Sequence, residues 1–154
     1  MQNLENYTNG QLVDSIIYGT KTERNQAGTV LATKNPTNSE LTYIMRYCSD
    51  ADLRNQAWTV LATNCGIEGK VDEEALIKEI AIQVLDRPGS LNMGQWHCGT
   101  SHCLAGWACI INPEAKKIEN SESTEIAGAA VLPSYAHLFY SDNNVVLELL
   151  KTKV

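Results

Sequence analysis

The chain has 154 residues, with 12 Lys or Arg against 18 Asp or Glu and a net charge of −6, and no run of clustered basic residues of the kind that binds nucleic acid or anionic lipid. No segment is apolar for long enough to span a bilayer, and the start lacks the basic and apolar regions of a secretion signal. We therefore expect a cytoplasmic protein without a membrane or nucleic-acid partner, whose five cysteines are free thiols or ligands rather than a disulfide framework.

A ten-residue segment occurs twice in the first half of the chain. Residues 24–33, RNQAGTVLAT, return thirty positions later at 54–63 with one change, Gly28 to Trp58. Each copy follows a segment with apolar residues at helical spacing, and a unit of about thirty residues with two short helices is typical of an α-solenoid. We expect Ala27, Val30 and Leu31 of the first copy, like Ala57, Val60 and Leu61 of the second, to face the core that the copies share.

Capping signals divide this half into helices. Thr8, Thr20 and Thr37 each precede a Gln or Glu by three residues, which is the pattern of a capping box, and Asp50 takes the corresponding place before the second copy. The predicted helices cover residues 9–18, 22–33, 38–48, 52–63 and 72–86.

The arrangement of residues 8–65 resembles the leucine-rich-variant and HEAT-like repeat families. The resemblance rests on Asn35-Pro36-Thr37, Glu40-Leu41 and Asp50-x-Asp52-Leu53-Arg54. It implies a curved stack of helices that presents a surface to another macromolecule. Because two units are fewer than a solenoid usually needs, we expect a helical repeat region at 1–86 and a second helical module at 87–154 to form one compact unit.

The second half contains a motif rich in His and Cys. Residues 96–107, WHCGTSHCLAGW, hold two of the three histidines and two of the five cysteines between two of the three tryptophans. We predict that Thr100 or Ser101 caps a helix that runs to about Ile111, that residues 116–125 are polar and exposed, and that further helices follow. Since no convincing period-two segment occurs, the predicted fold class is all-α, with short solenoid-like repeats packed on a small helical module.

From about Gly89 to Leu150 the chain resembles a group of bacterial and phage-encoded proteins. The shared features are the core WHCGTxHCxAGW, an Ala-rich helix and a Leu-Phe segment, which here correspond to residues 96–107, Ala127 to Leu132, and Leu138-Phe139. The resemblance implies no activity, cofactor or site residues.

A metal site is one hypothesis for the motif, because imidazole and thiolate bind zinc and iron. The neighbours His97 and Cys98 point in different directions, as do His102 and Cys103, so the spacing is poor for a single ion. We therefore expect no cofactor, and keep as the alternative a zinc or iron site at Cys98, His102, Cys103 and His137.

A reactive thiol is a second hypothesis. With the predicted helix start, Cys98 lies just before a helix N-terminus and Cys103 lies in its first turn, where the helix dipole stabilises a thiolate. His102 or His137 could then act as the base.

The remaining hypotheses are a small-molecule pocket and a structural role. The pocket would be walled by Trp96, Trp107 and the aromatic residues at 135–140, with His137 as its polar contact. In the structural interpretation, which we favour, the histidines bond the turn and the tryptophans anchor it in the core. Trp58 either fills a gap against the helix at 72–86 or contacts a partner.

Elimination favours a binding protein over an enzyme, since no paired catalytic acids, phosphate-binding glycine loop or basic stripe occurs. The predicted function is a small cytosolic interaction or regulatory (adaptor) protein with a protein partner. The alternative is a metal-binding or thiol-active protein centred on His97, Cys98, His102 and Cys103.

Overall fold

The computed structural model describes residues 3–67 and 71–154, and it is mostly helical, which confirms the predicted all-α class. The chain divides into two compact units, Met1–Gly66 and Ile67–Val154, which are described separately here. The helix predicted at 72–86 thereby belongs to the second unit. In the described ranges, no helix is both long enough and apolar enough to cross a membrane.

The first unit is built from two helix pairs. Its elements are a 3-10 helix at Leu4–Asn6, α1 (Asn9–Tyr18), α2 (Lys21–Ala32), α3 (Asn38–Tyr47) and α4 (Ala51–Asn64). α1 packs on α2 and α3 on α4, and the contacts of α1 with α3 and of α2 with α4 join the two pairs. The predicted bounds are confirmed to within one residue, because Thr8, Thr20 and Thr37 each form the complete capping box that fixes a helix start.

One face of each helix supplies the core of the first unit. On α4 the buried residues Leu53, Ala57 and Leu61 recur every four positions. Val60 is 46% exposed, so the prediction that it faces the core was wrong. The reason is helical geometry, since Val60 lies about 100° around the helix from the fully buried Leu61.

Asn25 and Gly28 of the first copy of the repeat contact the residues that come just before the second copy. The amide oxygen of Asn25 accepts hydrogen bonds from the backbone N–H groups of Ser49 at 3.0 Å and Asp50 at 3.3 Å. A Cβ atom at Gly28 would lie only 2.7 Å from Sγ of Cys48, the residue after α3, so a side chain at this position would force α3 and α2 apart. The glycine is therefore a packing requirement of this helix pair.

The second unit contains the remaining helices and one small hairpin. Its elements are α5 (Glu73–Asp86), a 3-10 helix at Pro88–Ser90, β1 (His97–Cys98), β2 (Ser101–His102), α6 (Leu104–Ile111), α7 (Pro113–Ser121), α8 (Thr124–Val131), a 3-10 helix at Pro133–Leu138 and α9 (Asn143–Lys151). α6 packs against α5, α7 and α8, and it is buried from Leu104 through Cys109. The core of this unit therefore surrounds α6, which directly follows the His-Cys motif.

Candidate functional site

The first half of the motif forms a tight antiparallel hairpin. His97 lies opposite His102 and Cys98 opposite Ser101, so Gly99 and Thr100 are a two-residue turn. Gly99 has a φ of +60°, a conformation that favours glycine and is expected in such turns. The hairpin is closed by a hydrogen bond from the Ser101 hydroxyl to the Cys98 carbonyl at 2.9 Å.

The hairpin delays the start of the helix that follows. The prediction that Thr100 or Ser101 caps this helix was wrong, because those residues belong to the turn and to β2. Cys103 is the N-cap instead, and its Sγ accepts a hydrogen bond from the backbone N–H of Gly106 at 3.3 Å. The helix α6 therefore begins at Leu104.

The cross-strand register brings the two histidines of the motif into contact. Their Nδ1 atoms are 2.7 Å apart, and the ring planes lie at 78° with centroids separated by 4.8 Å. The second ring nitrogen of His97, Nε2, lies 2.6 Å from Glu119 Oε2. The histidines thus bond each other and a carboxylate on α7, rather than the Gly99-Thr100 turn as the structural interpretation expected.

Glu119 is the centre of this hydrogen-bond network. Besides His97, the Lys116 ammonium donates to Oε1 at 2.9 Å and the Thr124 hydroxyl donates to Oε2 at 2.8 Å. Partial burial alone would raise the pKa of Glu119, but the hydrogen bonds from His97, Lys116 and Thr124 outweigh it and lower the pKa to about 2. Glu119 is consequently ionised throughout the physiological pH range.

Sequence reasoning missed Glu119. It lies within residues 116–125, which were predicted to be polar and exposed, whereas its side chain is only 11% exposed and this stretch includes most of α7. A signal for α7 was present: the side chain of Asn112 caps the helix and Pro113 is its first residue, a combination typical of helix starts. No local signal shows that this helix meets the hairpin.

His102 is the buried end of the network. The residue is 8% exposed, and its ring packs edge-on against Trp107 with a centroid distance of 5.1 Å. Burial and the neighbouring His97 lower the pKa of His102, whereas the charge of Glu119 opposes the shift. His102 is therefore held in the neutral form.

The cysteines of the motif lie in contrasting environments. Cys98 is exposed beside the turn, whereas Cys103 is buried. Burial raises the pKa of the Cys103 thiol, and the hydrogen bond from the Gly106 backbone only partly opposes this. The expectation that the helix dipole would favour a thiolate at Cys103 was therefore wrong, because desolvation dominates. Burial also raises the pKa of Cys109 on the same helix.

The alternative metal ligands are spread over several elements. Cys98 is exposed on β1 and Cys103 is buried at the start of α6, while His137 is exposed on the 3-10 helix at Pro133–Leu138. Within residues 3–67 and 71–154, no group of three or more His, Cys, Asp or Glu side chains is arranged to hold a metal ion. The pair of His97 and His102 makes a direct nitrogen-to-nitrogen contact instead.

The tryptophans occupy separate sites. Trp96 packs edge-on against Tyr140, with ring centroids 5.6 Å apart. Trp107 is buried and donates from Nε1 to the Ser90 carbonyl at 3.1 Å. Trp58 is half-buried on α4 of the first unit, where the prediction of a partner contact stays a prediction.

A comparison of the chain with protein-family models, curated proteins and solved structures finds no match in any of the three. Functional inference therefore depends on the geometry of the described residues.

Proposed function

We propose that this chain is a cytosolic interaction or regulatory adaptor that binds a basic, apolar segment of a protein partner. The observation that carries the proposal is a groove of about 430 Å³ in the second unit, between the start of α5 and the junction of α6 with α7. Its apolar lining consists of Ile67, Val71, Ala75, Leu76, Ile111 and Pro113.

The charge of the groove indicates the chemistry of the partner. Three carboxylates, those of Asp72, Glu79 and Glu114, line it, and no Lys or Arg of the described residues does. Asp72 is fixed in place because its side chain accepts a hydrogen bond from the Ala75 backbone at 3.0 Å. Carboxylates of one sign around an apolar floor complement a segment that carries Lys or Arg beside its apolar side chains.

Apolar area at the groove supplies the second part of the recognition. Ala75 is exposed on the floor, and its methyl side chain leaves room for a larger apolar group from the partner. Burial of such area contributes about 25 cal/mol per Å², while the carboxylates select the charge of the partner.

Selection of peptides on the intact chain tests the proposal. We expect a displayed random peptide library to enrich sequences that combine apolar anchors with Lys or Arg, and their binding to weaken as ionic strength rises. Ala75→Arg places a bulky cation on the exposed floor and should abolish binding while the circular dichroism spectrum stays unchanged. Enrichment of acidic or uncharged peptides, or of none, would contradict the proposal.

Charge reversal provides the matched control. Glu79→Lys, in the groove, should weaken binding of the selected peptide roughly tenfold or more, equivalent to about 1.4 kcal/mol. Glu148→Lys makes the same change at an exposed position on α9 that does not line the groove, and should leave the affinity unaltered. Equal effects of the two variants would show that net charge, rather than the groove, controls binding.

We also propose that the helix pairs of the first unit form a short solenoid that contributes to this adaptor role. The support is the repeated segment and the contacts of Asn25 and Gly28 with residues that come just before its second copy.

A further inference from the structure

The adaptor proposal leaves the network of Glu119, His97 and His102 without a role. The three side chains form a continuous chain of hydrogen bonds, 2.6 Å from Glu119 Oε2 to His97 Nε2 and 2.7 Å from His97 Nδ1 to His102 Nδ1. They come from α7, β1 and β2, and the network is separate from the groove residues.

The protonation of each nitrogen follows from the chemistry of its partner. An ionised carboxylate can only accept hydrogen bonds, so Glu119 requires a proton on His97 Nε2, and in a neutral imidazole this is the single ring proton. His97 Nδ1 is then an acceptor. The short contact between the Nδ1 atoms consequently requires His102 to donate from Nδ1, and since His102 is neutral, its Nε2 carries no proton.

We propose that Glu119, His97 and His102 form a hydrogen-bonded relay in which the carboxylate fixes the tautomer of both imidazoles and leaves His102 Nε2 as a hydrogen-bond acceptor for the hydroxyl group of a small ligand. This is the logic by which a carboxylate orients one imidazole as a base, extended here by a second imidazole.

The surroundings of His102 support a ligand site at this end of the relay. Among the described residues, His102 Nε2 has no hydrogen-bond partner. This nitrogen is not fully buried, so a ligand can reach it. The Ser90 hydroxyl is buried and has no hydrogen-bond partner in the described part of the chain. Both residues contact Trp107, His102 through ring packing and Ser90 through its carbonyl. His102 Nε2 is therefore an unpaired acceptor beside the indole of Trp107.

Nitrogen NMR of the three histidines tests the tautomer directly. In the full chain above the ordinary histidine pKa of about 6.5, we expect protonated Nδ1 and unprotonated Nε2 at His102, and the reverse at His97. His97→Ala should release His102 to the Nε2-protonated tautomer, and His137→Ala, outside the network, should change neither. A protonated Nε2 on His102 in the unaltered chain would overturn the proposal, as would an unchanged tautomer in His97→Ala.

Phenol and anisole, used as probes, test the ligand site. They have similar shapes, but only phenol has an O–H group to donate. We expect phenol to shift the His102 Nε2 resonance saturably and anisole to leave it in place, and His97→Ala to lose the phenol response. Equal responses to the two probes, or no response to phenol, would refute hydroxyl binding at this nitrogen. The tautomer measurement in the absence of any probe separates failure of ligand binding from failure of the relay.

Discussion

Replacement of Glu119 by Gln tests the energetic role of the network. Glu119 has a pKa of about 2 instead of the ordinary 4.5 of a glutamate. This difference corresponds to about 3 kcal/mol of folding stability that the ionised carboxylate contributes. Because the pKa is depressed in the folded state, this contribution is complete above the ordinary pKa and is lost as the pH falls towards 2. Gln retains one acceptor oxygen, so we expect Glu119→Gln to lose about 2–3 kcal/mol at neutral pH.

Urea unfolding followed by tryptophan fluorescence measures this loss, since Trp96 and Trp107 both belong to the second unit. The gap in unfolding free energy between the chain and Glu119→Gln should shrink as the pH is lowered through the range in which Glu119 takes up its proton. Glu114→Gln is the control on the same helix: its side chain is 54% exposed and lies 3.8 Å from Lys117, so the change should be within about 0.5 kcal/mol. Equal stability of Glu119→Gln and the unaltered chain at neutral pH would refute the reasoning, and so would a gap that does not depend on pH.

Three further predictions concern the repeats and the thiols. Asn25→Ala should cost about 0.5–1.5 kcal/mol in urea unfolding, because it removes hydrogen bonds to the exposed backbone N–H groups of Ser49 and Asp50, whereas Asn55→Ala, which removes no such bond among the described residues, should cost little; equal losses would contradict the bridging role of Asn25. Leu61→Ala should cost about 2–5 kcal/mol in the same assay, because Leu61 is fully buried, and a fully stable variant would argue against a shared repeat core. Mass spectrometry after iodoacetamide treatment should show Cys98 modified at least about tenfold faster than Cys103, because Cys98 is exposed and burial raises the pKa of Cys103. Equal rates in the folded chain would contradict the burial of Cys103. In urea, where both thiols are exposed, we expect equal rates.

The helices of the first unit were predictable because their signals are local. Thr20 and Glu23 lie in one turn, and the side chain of each accepts a hydrogen bond from the backbone N–H of the other. This arrangement does not depend on the rest of the fold. The same holds for Asp72, whose carboxylate fixes the start of α5. Such caps determine where a helix begins, and they require no tertiary contact.

The site could be predicted only in part, because its decisive contacts are not local. The motif identified His97 and His102 as notable residues, but a two-residue strand is too short to show periodicity, and Gly99-Thr100-Ser101 was interpreted as a helix start. Glu119 lies 22 positions from His97 along the chain and is recognised only once α7 is placed against the hairpin. The depressed pKa of Glu119 likewise depends on three donors from different elements.

The two copies of the repeat show most directly how packing assigns roles that sequence alone does not. Asn25 and Asn55 occupy equivalent places in nearly identical segments, yet Asn25 bonds the chain that precedes α4. Gly28 lies where Cys48 approaches too closely for a side chain, and Trp58 stands at the matching position in the last helix of its unit. The glycine of the first copy is thus explained by the close approach of Cys48 and Leu53, which its sequence neighbours do not reveal.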